Sequence, residues 1–134
     1  MPLQPLEFDG PHPGVTGQTC QEILCQEFWY RGQLTNPANV IHLRCDDRWH
    51  RLYLDNGVIF WREDGEKTAG YAAWKDGDVE FRTLDIGSQL NLRGLVVQSV
   101  VATPTDSGSQ VAFRFEGGRE LVFRCEHDVT SYTA

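Results

Sequence analysis

Histidine and cysteine are the side chains best suited to chemistry near neutral pH, because imidazole titrates there and thiolates are nucleophiles and metal ligands. The chain holds four of each: His12, His42, His50 and His127, with Cys20, Cys25, Cys45 and Cys125. No two cysteines form a Cys-x-x-Cys pair, the close spacing that marks most zinc sites. On a helix, Cys20 and Cys25 would project about 140° apart and could not share a metal. Cys45 and Cys125 end alternating, strand-like runs, where cysteine acts as a small hydrophobe. Buried free thiols are therefore expected, with no metal and no other cofactor. A Cys45–Cys125 pair would require their two hairpins to be neighbours.

His42 and His50 lie on either side of Asp46-Asp47, and across a hairpin they could face each other. Two imidazoles with nearby carboxylates would make a metal or acid–base site. Glu126-His127-Asp128 beside Ser131 has the members of a triad, but residues so close in sequence rarely converge as nucleophile, base and orienter. There is no Gly-x-Ser-x-Gly elbow and no Gly-rich phosphate loop. The sequence thus reads as non-enzymatic, with a His-dependent enzyme as the second alternative.

Two other groups of residues could act by binding. One is acidic: Asp46 and Asp47 before one strand, then Glu63, Asp64 and Glu66 after the next. If those strands pair, the two sets meet at one end of the sheet as a negative patch. The other group is aromatic: Trp29, Tyr30, Trp49, Tyr53, Trp61, Tyr71 and Trp74. Phe60 and Trp61 are consecutive on a strand, so they point to opposite faces and only one enters the core. The expected contact is Asp46, Asp47, Glu63, Asp64 and Glu66, with Trp61 as an anchor.

The elements that position these residues are mainly strands. The flanks of Asn56-Gly57, residues 48–54 and 58–63, are rich in aromatic and β-branched residues, and the dipeptide itself suits the positive φ angles of a type I′ turn. A second hairpin spans 110–116 and 119–126. It places Val111, Phe113 and Phe115, and Leu121, Phe123 and Cys125, on one face. Further strands are expected at 40–45, 71–75, 79–84, 90–93 and 95–103. The last is apolar on both faces, as a centrally buried strand would be.

A helix is expected at about 19–31. Thr19 and Glu22 fit a capping box, and Cys20, Ile23, Leu24 and Phe28 fall on one helical stripe. Residues 1–15 carry four prolines and two glycines and read as an extended arm, leaving 16–134 as a single β-rich domain with a frayed polar tail from Asp128. The fold class is α+β, mainly antiparallel β: about eight strands in a curled meander sheet, barrel-like or a sandwich, with one N-terminal helix.

The totals limit the functional classes. With 134 residues and 40% hydrophobic content, the chain can bury a core unaided. Its net charge of −7 repels phosphate backbones, so nucleic acid is not an expected partner. No apolar run reaches membrane-span length, and the start Met1-Pro2-Leu3-Gln4-Pro5 lacks the charge and apolar core of a signal peptide, so a cytoplasmic location is expected. The sequence is expected to encode a small acidic domain that binds another protein with a basic surface, an immunity-type inhibitor of a bacterial toxin being one instance. The first alternative is a β-barrel that binds a small molecule among its tryptophans.

Overall fold

The computed structural model describes residues 7–10, 14–55, 57–65 and 74–134. Asn56, Glu66, Tyr71 and His12 lie outside the described residues, as do most of the arm and the connection 66–73. Among the described residues there are eleven strands: β1 (Glu7–Asp9), β2 (Cys20–Tyr30), β3 (Gln33–Cys45), β4 (Arg48–Asp55), β5 (Val58–Gly65), β6 (Trp74–Asp76), β7 (Val79–Asp85), β8 (Val97–Thr105), β9 (Gly108–Phe115), β10 (Arg119–Glu126) and β11 (Val129–Thr133). One short helix, α1 (Ile86–Gln89), follows β7 and is capped where Ser88 N donates to Asp85 Oδ1 at 3.0 Å.

The strands form two sheets. The larger has the order β1-β5-β4-β3-β2-β7-β6, antiparallel throughout except for the parallel β1–β5 pair. The smaller is antiparallel, in the order β11-β10-β9-β8. Their inner faces pack together. Ile23, Ile41 and Leu43 meet Phe113, Leu121 and Phe123 with no water-sized space between them. Trp61 of the large sheet stacks on Phe113 of the small one at 6.4 Å between ring centres. The inner faces expected for β9 and β10 are observed: Val111, Phe113, Phe115, Leu121, Phe123 and Cys125 are all buried.

The sheets do not close into a barrel. They join along one seam, residues 17–20. There Gly17 N donates to Val97 O, Val97 N to Gln18 O, Cys20 N to Leu95 O and Gly94 N to Cys20 O. The same stretch pairs with the end of β3 through Cys20 opposite Cys45. On the other side, β11 lies near β3, and Thr130 N donates to Asn36 Oδ1 at 3.1 Å. Asn36 stands at a distortion of β3, where four residue steps from Val40 face two on β2, and Pro37 is accommodated there because the ladder is already interrupted.

The expected N-terminal helix at 19–31 is instead strand β2, and the only α-helix among the described residues comes after β7. A β-bulge explains the difference. Cys20 faces Cys45 and Glu22 faces Arg44, so Gln21 is the extra residue. The bulge puts Cys20 and Ile23, three apart, on the same buried face, and three is also a helical spacing. Three more elements depart from expectation. β8 is an edge strand rather than a central one, with Val101 half exposed on the solvent face. Leu90–Arg93 is a turn after α1 rather than a strand. The tail forms β11, returned by a tight turn in which His127 and Asp128 both take positive φ.

Gly108 shows how closely β9 and β10 approach. A Cβ there would sit 1.9 Å from the carbonyl oxygen of Cys125. Gly108→Ala is therefore expected to destabilise the fold by about 1–3 kcal/mol through strand displacement, read as a lower urea midpoint with an unchanged slope.

Candidate functional site

The acidic set is held at one end of the large sheet. Asp46 and Asp47 form the two-residue β3–β4 turn, with φ of 47° and 64°, the left-handed geometry that aspartate tolerates in a type I′ turn. Asp46 Oδ1 accepts from Thr19 N at 3.0 Å, and Asp47 Oδ1 accepts from Gln21 Nε2 at 2.8 Å. Gln21 Oε1 in turn accepts from Asp47 N, so the bulged residue of β2 clasps the turn. Glu63 pairs with Arg48 at 3.2 Å, and Asp64 with Arg51 at 3.6 Å. Arg44 pairs with Glu22 at 2.8 Å and lies 3.9 Å from Asp47. The structure thus brings Asp46, Asp47, Glu63 and Asp64 to one end, interleaved with arginines rather than as bare negative charge. Trp61 belongs to a different place: it is 1% exposed and faces the core.

Trp61 and His50 form a buried polar contact. The indole Nε1 donates to His50 Nδ1 at 3.1 Å, which makes that nitrogen the acceptor and leaves the proton of the neutral ring on Nε2. Burial lowers the His50 pKa, and Arg48 adds to this, while the carboxylates of Glu63 and Asp64 oppose it. His42 is also buried, and burial with Arg51 opposite pushes its pKa down to about 4. The two histidines do not face each other. His42 is opposite Arg51 and His50 is opposite Leu43, so they occupy different faces of the sheet. His127 stands in the exposed β10–β11 turn, remote in the topology from both. Among the described residues no group of three or more His, Cys, Asp or Glu is arranged to hold a metal ion.

All four cysteines are free and buried. Cys45 does not neighbour Cys125 in a sheet: β10 is flanked by β9 and β11, and the residues facing Cys45 are Cys20 on β2 and Arg48 on β4.

Another surface emerges at the far end of the large sheet. Phe28, Phe81 and Trp74 stand directly opposite one another on β2, β7 and β6, making a cross-strand row on the outer face. Their ring centres are 5.3 Å apart for Phe28–Phe81 and 5.6 Å for Phe81–Trp74. Tyr30 and Val79 form the next pair on the same face. The row ends on β6, an edge strand all of whose residues are exposed, and Trp74 is 50% and Tyr30 44% exposed. Charged neighbours frame it. The Arg31 guanidinium sits 5.4 Å from the Tyr30 ring centre and pairs with Asp78. On the opposite face Arg82 covers Trp29 at 4.0 Å and pairs with Glu80. Sequence reading found Trp74 and Tyr30 among the aromatics. It missed Phe28 and Phe81, because the row exists only once three strands are in register.

Comparison with protein-family models, curated proteins and solved structures gives no match for this chain.

Proposed function

We propose that this protein is a non-catalytic domain that binds another protein, and that the contact is centred on the outer aromatic row ending at β6, the last strand of the large sheet among the described residues. The observation that carries this reading is Trp74: a large aromatic, half exposed, packed at the end of a row of rings on a strand edge that no other described strand covers. Tryptophan and tyrosine are the residues that most often dominate binding energy at interfaces. An open edge also offers main-chain donors and acceptors to an added strand. The acidic residues Asp46, Asp47, Glu63 and Asp64 play a lesser part here, because their carboxylates are already engaged by arginines and backbone groups. The overall charge of −7 still favours a basic partner, and an immunity-type inhibitor facing a basic toxin fits this class.

The test is affinity capture with the tagged chain, comparing wild type with Trp74→Ala and Tyr30→Ala. Each truncation is expected to weaken retention of a specific partner by about tenfold or more, since interface tryptophans and tyrosines carry about 2 kcal/mol or more. The thermal midpoint should stay nearly constant, because both side chains are exposed. Equal retention by wild type and both variants would refute this placement of the interface.

A further inference from the structure

The geometry points to Cys20 and Cys45 as a peroxide-oxidisable dithiol, a modification site that closes into a cross-strand disulfide at the seam between the sheets. The two residues are direct partners across β2 and β3. The main-chain N and O of Cys20 both bond away from β3, to Leu95 and Gly94, so Cys20–Cys45 is a non-hydrogen-bonded antiparallel pair. In such pairs the Cα atoms approach to about 4.5 Å, inside the range a disulfide spans. Both side chains point to the buried inner face, and the thiols are within hydrogen-bond reach of each other. Nothing comparable holds for the other two cysteines. Cys25 faces Ile41 and Leu84, and Cys125 faces Ser109 and Thr130.

The chemistry has a direction. The hydrogen bond from Cys45 holds the Cys20 thiol below its ordinary value against the effect of burial, and Arg93 assists. The same bond, with burial, raises Cys45. Cys20 is therefore the thiol of the pair that loses its proton first, and its thiolate is the attacking form. This thiolate attacks one oxygen of hydrogen peroxide, giving the sulfenic acid and releasing hydroxide. The Cys45 sulfur then displaces that oxygen from Cys20. The S–S bond forms, the S–O bond breaks, and the thiol proton leaves with the oxygen, so that two thiols and one peroxide give one disulfide and two waters in all. Because both sulfurs are buried, a small oxidant is required. The product staples β2 to β3 next to the bonds that tie residues 17–20 to 94–97.

The experiment treats the folded native chain with hydrogen peroxide, unfolds it in alkylating reagent, and maps it by mass spectrometry. Trypsin cuts after Arg44 and Arg48, and a glutamyl endopeptidase cuts after Glu22, which separates Cys20 from Cys25. The expected product has lost two hydrogens, carries a Cys20–Cys45 linked peptide, and retains two alkylated thiols at Cys25 and Cys125. It melts higher than the reduced protein, and dithiothreitol reverses both changes. Four alkylated cysteines after treatment, or a link through Cys25 or Cys125, would overturn the assignment.

Discussion

Trp61→Ala is expected to lower the folding stability by about 3–5 kcal/mol, the range for emptying a large buried aromatic site. The side chain is 1% exposed, stacks on Phe113 across the two sheets, and gives its indole proton to His50. Its loss removes contacts between the layers and leaves His50 Nδ1 as a buried acceptor without its donor. Trp61→Phe separates these effects. It keeps most of the ring contact with Phe113 and loses the hydrogen bond, so the cost should fall to about 1–3 kcal/mol. Urea unfolding followed by circular dichroism gives both values, and a Trp61→Ala loss below that of Trp61→Phe would contradict the packing described.

Acid is expected to weaken the fold well before most carboxylates titrate. His42 is neutral in the folded protein down to about pH 4, whereas in the unfolded chain it takes up its proton near 6.5. Above 6.5 neither state is protonated, and the histidine has no effect on stability. As pH falls through this window the unfolded chain binds the proton and the folded one does not, so stability drops. The drop from 6.5 to about 4 corresponds to about 3 kcal/mol when complete. His50, shifted in the same direction, adds to the loss. Urea midpoints measured between pH 7 and pH 4 should therefore fall steadily, and His42→Gln should make the profile flatter. A wild-type midpoint constant over that interval would show that the histidines are not held neutral.

The strands most legible in the sequence were those whose inward residues alternate without interruption. Phe113, Phe115, Leu121 and Phe123 needed only period two to be placed on the inner face, and they are there. β2 was not legible, because the extra residue Gln21 shifts the alternation and turns Cys20 and Ile23 into a pattern that a helix shares. β8 was misplaced for a different reason: apolar residues on both faces suggest burial on both, yet Val101 lies on solvent. Of the candidate site, proximity was legible and chemistry was not. Asp46, Asp47, Glu63 and Asp64 do gather at one end, as pairing of their strands implies. Their arginine partners come from register, which places Arg48 near Glu63 and Arg51 near Asp64. The Cys20–Cys45 pair depends on register as well, so cysteine spacing alone could not reveal it.

The seam at residues 17–20 bears on cooperativity. Gly17 and Val97 are joined through the main chain although most of the large sheet lies between them in sequence. The short stretch that pairs with both sheets therefore belongs wholly to neither. Removing the segment after Ile86 would strip the donors and acceptors of 94–97 from Gly17 to Cys20, and would also uncover the inner face of Ile23, Ile41 and Leu43. Neither sheet is expected to fold without the other, because each buries its apolar face on its partner. The two layers are therefore expected to unfold in a single cooperative transition.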